Sequence, residues 1–430
     1  MPSTGPRISN LVALVYGAAN LMGVGSGLIV SWLLYFYCPP ESAKAIVYAP
    51  IVAMGAVILF GRVVDAVSDP LIGYWSDKTV TRWGRRKPFI VMGFVLMALS
   101  QVLIWLPPVR GESLVNVAYA AAMLGIFWFG FTAAIAPYLA LLPEMTQDPG
   151  ERVKLSTFQA FFSQVSTVIN GVVVPIMIAA LGFFNSALVL TLIALSVLIP
   201  FLVVVKEKPP EEIKAAKLSL VEAVRITFTN KVFLYYLVPT ALLVLGVNML
   251  QMDIPYLVTV SAGLEKQHVS LFYLPLILVS VLMLPVVRRA AGRYGKKRVY
   301  LWGMALFGIP IVLLATVGLI PLSPIALIVA VGVLTGIAAA PLFVLPNAII
   351  ADITDIDEQM TGYRREAIYF GAQGLITKSM AGLAGVLNSA LLGYLGYAPG
   401  NDLGIRMVLV VAGLALIPAV LIFRRYPITK

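Results

Sequence analysis

The sequence predicts an all-α membrane protein with twelve transmembrane helices in two six-helix bundles. Three observations carry that expectation: an apolar composition, a succession of spanning-length runs, and a charged segment that divides those runs evenly. The 430 residues are 60% hydrophobic and only 12% charged, with a mean hydropathy of +0.94, whereas soluble domains carry roughly 25% charged residues. A helix needs about 20 apolar residues to cross a hydrocarbon core, because each spanning segment must satisfy its own backbone hydrogen bonds. The alternating pattern of a membrane β-barrel is absent.

Apolar runs bounded by charge, Pro or Gly predict helices over 11–37, 46–76, 88–108, 115–142, 154–180 and 184–205. A second set follows over 233–262, 269–287, 298–318, 324–350, 366–395 and 404–424. Between the sets, residues 206–232 hold Lys206, Glu207, Lys208, Glu211, Glu212, Lys214 and Lys217, a composition that reads as a charged linker. The expected domains are therefore a bundle over 1–205, a linker over 206–232 and a bundle over 233–430. The start of the chain runs into a long apolar stretch without a small-residue cleavage pattern, so it reads as a first spanning helix, not a signal peptide.

The net charge of +11 would suit nucleic acid, so the positions of the charges decide its meaning. With both termini on one side, all but six of the 31 Lys and Arg fall at the termini, in the linker, or in loops on that side. The exceptions are Lys44, Arg110, Lys266 and Arg406 on the opposite side, and Arg62 and Lys378 inside helices. By the positive-inside rule both termini are cytoplasmic, and the charge needs no nucleic-acid partner. The basic stretch Arg82–Lys87 after helix 2 is echoed by Arg293–Arg298 after helix 8, 211 residues on. Parallel repeats of a two-bundle transporter produce such echoes, although any cytoplasmic loop collects basic residues.

Arg62, Asp65, Ser68 and Asp69 lie in helix 2, in a segment otherwise fit for lipid. A charge there costs roughly 2.5–3.5 kcal/mol on insertion scales, and such groups face a cavity or a partner. Asp65 and Asp69, four residues apart, share one helix face and repel unless a cation or proton stands between them. Oxygen ligands with Ser68 nearby suit Na⁺, and the same pair suits a proton; the spacing fits both. A purely structural reading makes Arg62 and Asp65 a buried ion pair and Asp69 a helix-end cap. At the repeat offset, however, the two acids correspond to Leu276 and Ser280, so the architecture does not demand them. The costly carboxylates are expected only in the first half. Lys378 in helix 11 has no acid within a turn, and Asp65 or Asp69 across a central cavity is its natural counter-ion; a snorkelling lysine is the other reading.

Mixed-charge loops on the basic side, with Asp77, Arg85, Glu144, Arg152, Asp352 and Arg364, suit gating ion pairs between bundles. The acidic run Asp352–Glu358 lacks the spacing and central glycine of a Ca²⁺ loop, so no metal is expected beyond Na⁺. Cys38 is the single cysteine and His268 the single histidine, and no nucleophile, base and orienting group cluster, so an enzyme is not expected.

Three ordered motifs resemble the glycoside-pentoside-hexuronide:cation symporter family, the melibiose permease-like branch of the major facilitator superfamily. They are Arg62 through Asp65, Asp69, Pro70 and Gly73 to Trp83–Pro88; Pro137, Tyr138, Pro143 and Glu144 with Glu151 and Arg152; and Ala351, Asp352 and Thr361–Glu366 through to Lys378. The likeness covers nearly the whole chain and implies the major facilitator fold and a cation-coupled symporter. It implies that Asp65, Asp69 and Thr132 match the family's cation-site positions, that Ser68 stands where many members have Asn, and that Lys378 matches a lysine near that site. Arg152 matches a loop arginine taken as a gating residue.

The departures concern the solute. Where the melibiose permease has sugar-binding carboxylates this chain has Val24 and Ile135, where it has a tryptophan this chain has Leu139, and where it has an arginine this chain has Ala160 beside Gln159. The remaining polar cavity candidates are Asn20, Thr132, Gln164, Asn248, Gln251, Asn347 and Gln373, amides that also serve to join helices. The expectation is a Na⁺- or H⁺-coupled symporter importing a small organic solute, a sugar or glycoside, by alternating access. The alternatives are an amphiphile such as a lysophospholipid, since the family's relatives include lysophosphatidylcholine symporters, or a sensor that does not transport. No cofactor beyond the coupling ion is expected. The partners are the solute, the cation and the bilayer, with the protein a monomer in a bacterial inner membrane.

Overall fold

The computed structural model describes residues 8–207, 230–361 and 366–427. Most of the 206–232 linker, and Arg364, lie outside the described residues. Among the described residues, nine helices are long and apolar enough to span a membrane singly. One of them, Pro149–Val204, is two helices that meet at Gly182, where φ is 78° and the helical path breaks. The bent pair Lys266–Leu282 and Leu284–Tyr294 forms one more span, and the shorter apolar helix Lys87–Leu103 another, which makes twelve.

In chain order these are α1 (Asn10–Tyr37), α2 (Ile51–Lys78), α3 (Lys87–Leu103), α4 (Leu114–Met145), α5 (149–181) and α6 (183–204). The second set is α7 (Lys231–Ser261), α8 (Ser270–Leu282, continued by Leu284–Tyr294), α9 (Lys296–Leu314), α10 (Pro324–Thr361), α11 (Glu366–Leu395) and α12 (Leu403–Phe423). The order and number match the expectation. Several boundaries differ, among them α3, which ends at Leu103 and not 108, and α5, which begins at Pro149 and not 154. α2 begins at Ile51 because Pro50 sets an extended entry. α8 bends by 50° at Met283 and carries its basic tail as helix. α9 ends at Leu314, short of the expected 318. α10 runs through the acidic run to Thr361, because nothing in Asp352–Thr361 breaks a helix before Gly362.

Large apolar side chains such as Leu192, Val203, Leu282 and Ile309 stand fully on the outside, as a lipid-facing belt requires. Lipid tails are as apolar as Leu, so helix pairing rests on close packing at small residues. α3 and α4 meet at Gly93 and Gly130: a Cβ on Gly130 would lie 2.6 Å from the Met97 nitrogen and 2.7 Å from the Gly93 carbonyl. α9 and α12 cross likewise at Gly308 and Gly413. The repeat is visible in the backbone. Gly84 and Gly295, 211 residues apart, both have positive φ, 106° and 85°, a left-handed turn that glycine takes without steric cost.

The two halves meet along α1–α7, α2–α11 and α5–α8. Away from the basic loops, the Tyr256 hydroxyl donates to the Cys38 carbonyl at 2.8 Å and the Tyr35 and Tyr256 rings lie 5.1 Å apart. Toward the basic loops the space beside Gly73 on α2 and beside Gly371 and Gly374 on α11 is open. The halves therefore meet closely away from the basic loops, and open space lies beside α2 and α11 toward them.

Replacing Gly130 by Val forces α3 from α4 and is expected to lower the thermal unfolding midpoint of the purified protein, a loss of about 1–3 kcal/mol. Gly292→Ala, where a Cβ meets nothing within 4 Å, serves as the control and leaves the midpoint unchanged or slightly raised. Equal losses in the two variants would contradict the packing account.

Candidate functional site

Before its charged end at Asp77 and Lys78, α2 carries one polar stripe. Arg62, Asp65, Ser68 and Asp69 recur at helical spacing, so they project from one side of the helix. That side faces α4 and α11. Lys378 of α11 reaches across the boundary between the halves and places its Nζ 2.8 Å from Asp65 Oδ1 and 2.6 Å from Asp69 Oδ2. The Thr132 hydroxyl of α4 lies 2.9 Å from Asp65 Oδ1 and 3.3 Å from Asp69 Oδ1. Arg62 stands 3.4 Å from Asp65 Oδ2 and lies over the Trp128 ring, 3.8 Å from its centroid. Trp128 and Thr132 are one turn apart on α4, so a single helix face orients the arginine and contacts both acids.

Two anions and two cations thus balance. Asp65 is 1% exposed and Asp69 42%, so the second acid reaches toward open space while the first is enclosed. Ser68 is placed differently from the others: its hydroxyl donates to the Asp65 carbonyl at 3.1 Å, which commits it to its own helix. Lys378 does not snorkel.

Beside this cluster a cavity of about 360 Å³ opens between the halves. Arg62 lines it, and so do Asn20, Ile135, Asn248 and Gln251 from the sequence candidates. Gln159, Gln164, Leu139 and Gln373 are not among its walls. The Gln159 carbonyl accepts from Asn20, Gln373 donates to the Tyr236 hydroxyl, and Leu139 is 47% exposed. The sequence reading missed Ser26, Ser31, Ser163, Ser166, Thr167, Asn170 and Tyr273, which also line the cavity. Four of these stand at 163, 166, 167 and 170, a polar stripe at helical period on α5, and that spacing was the available signal.

The walls are irregular helix. Asn20 and Gly23 lie in the 3₁₀ stretch Ala19–Gly23 of α1, and Asn170 and Gly171 in the π-helical turn Ile169–Val173 of α5. Such turns redirect side chains and recur at functional sites. A second miss corrects an expectation: carboxylates are not confined to the first half, since Asp253 of α7 is wholly buried. It stands inside the expected 233–262 helix and was passed over because the charge census followed basic residues.

At the basic face, Arg85 and Arg86 pair with Glu144 at 2.5 and 2.6 Å, and Arg86 pairs with Asp77 at 3.1 Å. Glu207 accepts from the backbone N–H groups of Arg85, Arg86 and Lys87, the favourable place for an anion at a helix start. In the second half Lys296 pairs with Asp352. Arg152 donates to the Thr146 carbonyl of its own loop at 2.9 Å. The ion pairs among these contacts join groups of the same half.

A two-bundle helical body with a solute-sized cavity beside a charge cluster at its midline defines a secondary transporter. The chain matches the MFS/sugar transport protein family over residues 15–430 and belongs to it. It is 24% identical to a symporter of Synechocystis, over 91% of this chain and 88% of that one, and 25% identical to the isoprimeverose transporter of Lactiplantibacillus pentosus, over 87% and 78%. The structure of the nucleoside transporter NupG matches with a TM-score of 0.71 at 13% identity, over 98% of this chain and all of that one, a likeness of fold. The protein is an integral membrane protein of the major facilitator fold.

The cluster predicts unequal costs. Asp65→Ala leaves Arg62 without its carboxylate and is expected to cost about 3–5 kcal/mol, whereas Asp69→Ala, at an exposed position, costs about 1 kcal/mol or less. Thermal or denaturant unfolding in one detergent checks the order, and a reversed order would contradict the geometry.

Proposed function

We propose that the protein is a cation-coupled symporter that imports a neutral polyhydroxylated solute, a sugar or glycoside, by alternating access. The observation that carries this reading is the Lys378 ammonium held between Asp65 and Asp69. The cluster is neutral as it stands, so an added Na⁺ or proton carries it to a net positive charge unless Lys378 withdraws. Cation and ammonium therefore compete for the same oxygens, Asp65, Asp69 and Thr132, with Ser68 supporting the turn. Lys378 acts as a surrogate cation that lets the empty carrier reorient with no bare carboxylate at membrane depth.

Arg62 connects that exchange to the solute, because it lines the cavity and pairs with Asp65. A solute that hydrogen-bonds Arg62 loosens its hold on Asp65, and the carboxylate then binds the cation more strongly. That is a coupling free energy between two sites, and it acts equally in both directions. The cavity walls offer hydroxyls and amides with no carboxylate, which suits neutral hydroxyls as donors and acceptors. The polar walls favour a sugar over an acyl chain, whose burial calls for an apolar tunnel. Transport by the named isoprimeverose relative supports the same class.

The first and last six helices, joined by 206–232, move as the two rocking bodies. The basic loops lie in the cytoplasm with both termini, in a bacterial plasma membrane, so the cavity opens inward in this state. Asp77, Arg85, Glu144, Arg152, Asp352 and Arg364 rearrange there as the inner face closes. One chain completes both sites, so a monomer suffices, and the reading involves no enzymatic step and no cofactor beyond the coupling ion.

Asp69→Asn is expected to abolish gradient-driven solute accumulation in vesicles at undiminished membrane levels; normal accumulation would remove the cation assignment. Asn170→Ala, which withdraws a cavity hydrogen bond worth about 1–1.5 kcal/mol, is expected to weaken solute affinity roughly tenfold. Sugar-dependent thermal shifts with and without Na⁺ read that change directly, and an unchanged affinity would place the solute elsewhere.

A further inference from the structure

Asp253 on α7 is wholly buried, and neither of its carboxylate oxygens has a hydrogen-bond partner among the described residues. Two other orphaned oxygens lie on the neighbouring α11: Asn388 Oδ1 and Ser389 Oγ, both in fully buried side chains. The Asn388 amide places the two helices in register, since its Nδ2 donates at 3.0 Å to the carbonyl of Met249. In a regular helix that carbonyl accepts from the N–H of Asp253, four residues on, so Asn388 stands at Asp253's own turn. Ser389 is pressed against Gly55 of α2, where a Cβ would come within 3.2 Å of its hydroxyl.

Buried polar groups in native proteins are paired with protein, water or an ion, so these unpaired oxygens call for a partner. Cationic and hydroxyl groups of α7 and the neighbouring helices are already engaged. The Tyr256 hydroxyl, three residues beyond Asp253, donates to the Cys38 carbonyl. Arg406 of α12 spends its guanidinium on Asp402 and on the Ala315 and Val317 carbonyls. Arg62 and Lys378 belong to the Asp65 cluster. A carboxylate held at membrane depth without a cation is untenable, and carboxylate and amide oxygens suit a small hard cation better than a soft one.

We propose that Asp253, with Asn388, is a second cation site, in the second half of the molecule and separate from the Asp65–Asp69 cluster. The cation is a proton carried by Asp253 or an alkali ion shared by the Asp253 carboxylate and the Asn388 amide oxygen. Its place between α7 and α11, close to the contact of both with α1 and α2, lets occupancy stabilise the closed outer face. This proposal does not depend on the first site binding a cation.

The test uses the full-length protein in nanodiscs, in an Asp69→Asn background that disables the first site. Thermal unfolding against NaCl, with choline chloride as the ionic-strength control, reads an alkali ion. The infrared carbonyl band of a buried, protonated carboxylic acid reads a proton. An alkali site predicts a sodium-specific rise in the midpoint that Asp253→Asn abolishes and Asn388→Ala weakens. A proton site predicts an acid band that Asp253→Asn deletes and Asn388→Ala shifts. If neither Asp253→Asn nor Asn388→Ala alters either signal while both proteins stay folded by circular dichroism, the site does not exist. Gradient-driven uptake by the single Asp253→Asn variant is measured separately, so loss of this site and failure of the transport reading are told apart.

Discussion

A lysine held between two carboxylates at membrane depth constrains everything built around it. Lys378 reaches Asp65 and Asp69 only because α11 lies close against α2. That approach is made by glycines one and two turns further along α11. A Cβ on Gly382 would lie 2.8 Å from Leu59 and 3.2 Å from the Arg62 Cβ, and one on Gly385 would lie 2.8 Å from the Ile58 Cβ. Small residues there bring two backbones together where a hydrophobic driving force is absent. The packing that joins the halves and the electrostatics that neutralise the acids are therefore one arrangement. Anything that removes the ammonium from the acids also loosens the helix pair.

The same economy links the charge cluster to the cavity. α4 carries Trp128 under the Arg62 guanidinium, Thr132 against both carboxylates, and Phe131 and Ile135 in the cavity wall, all within two turns. Arg62 belongs to both regions. A solute in the cavity and a cation at the acids thus act on one helix and one arginine, with no long pathway between them. Differential contact of this kind is what an energetic coupling requires.

The helices and their order were legible because lipid imposes length and apolarity on each span separately. Asp65, Asp69 and Lys378 were legible for the complementary reason: charge at that depth is costly enough to stand out in a single sequence. The cavity was not. Its polar groups are ordinary Ser, Thr and Asn on several helices, each cheap enough to be a helix-joining residue, and only the fold converges them. Gln164 and Gln373 looked equally eligible and point elsewhere. The acidic run from Asp352 was misread as loop because charge was taken for a boundary, although a helix leaving the bilayer carries charge freely.

Irregular backbone is distributed unevenly, and the distribution carries physical meaning. α2 and the described part of α11, which hold the ion-pair cluster, are uninterrupted helix despite Pro70 in α2. α1 and α5, which wall the cavity, pass through a 3₁₀ stretch and a π turn at the residues that face it, and α7 turns π-helical at Leu257–Ser261, one turn beyond Asp253. Non-α turns loosen the regular i to i−4 ladder and take up a residue's worth of register at small cost. Unbroken helix thus holds Asp65 and Asp69 at fixed spacing on α2 while the solute-facing helices retain room to adjust. Coupling needs this division: a cation exchanged at fixed oxygens is a defined chemical event, whereas the walls that close over a solute must adapt to its shape.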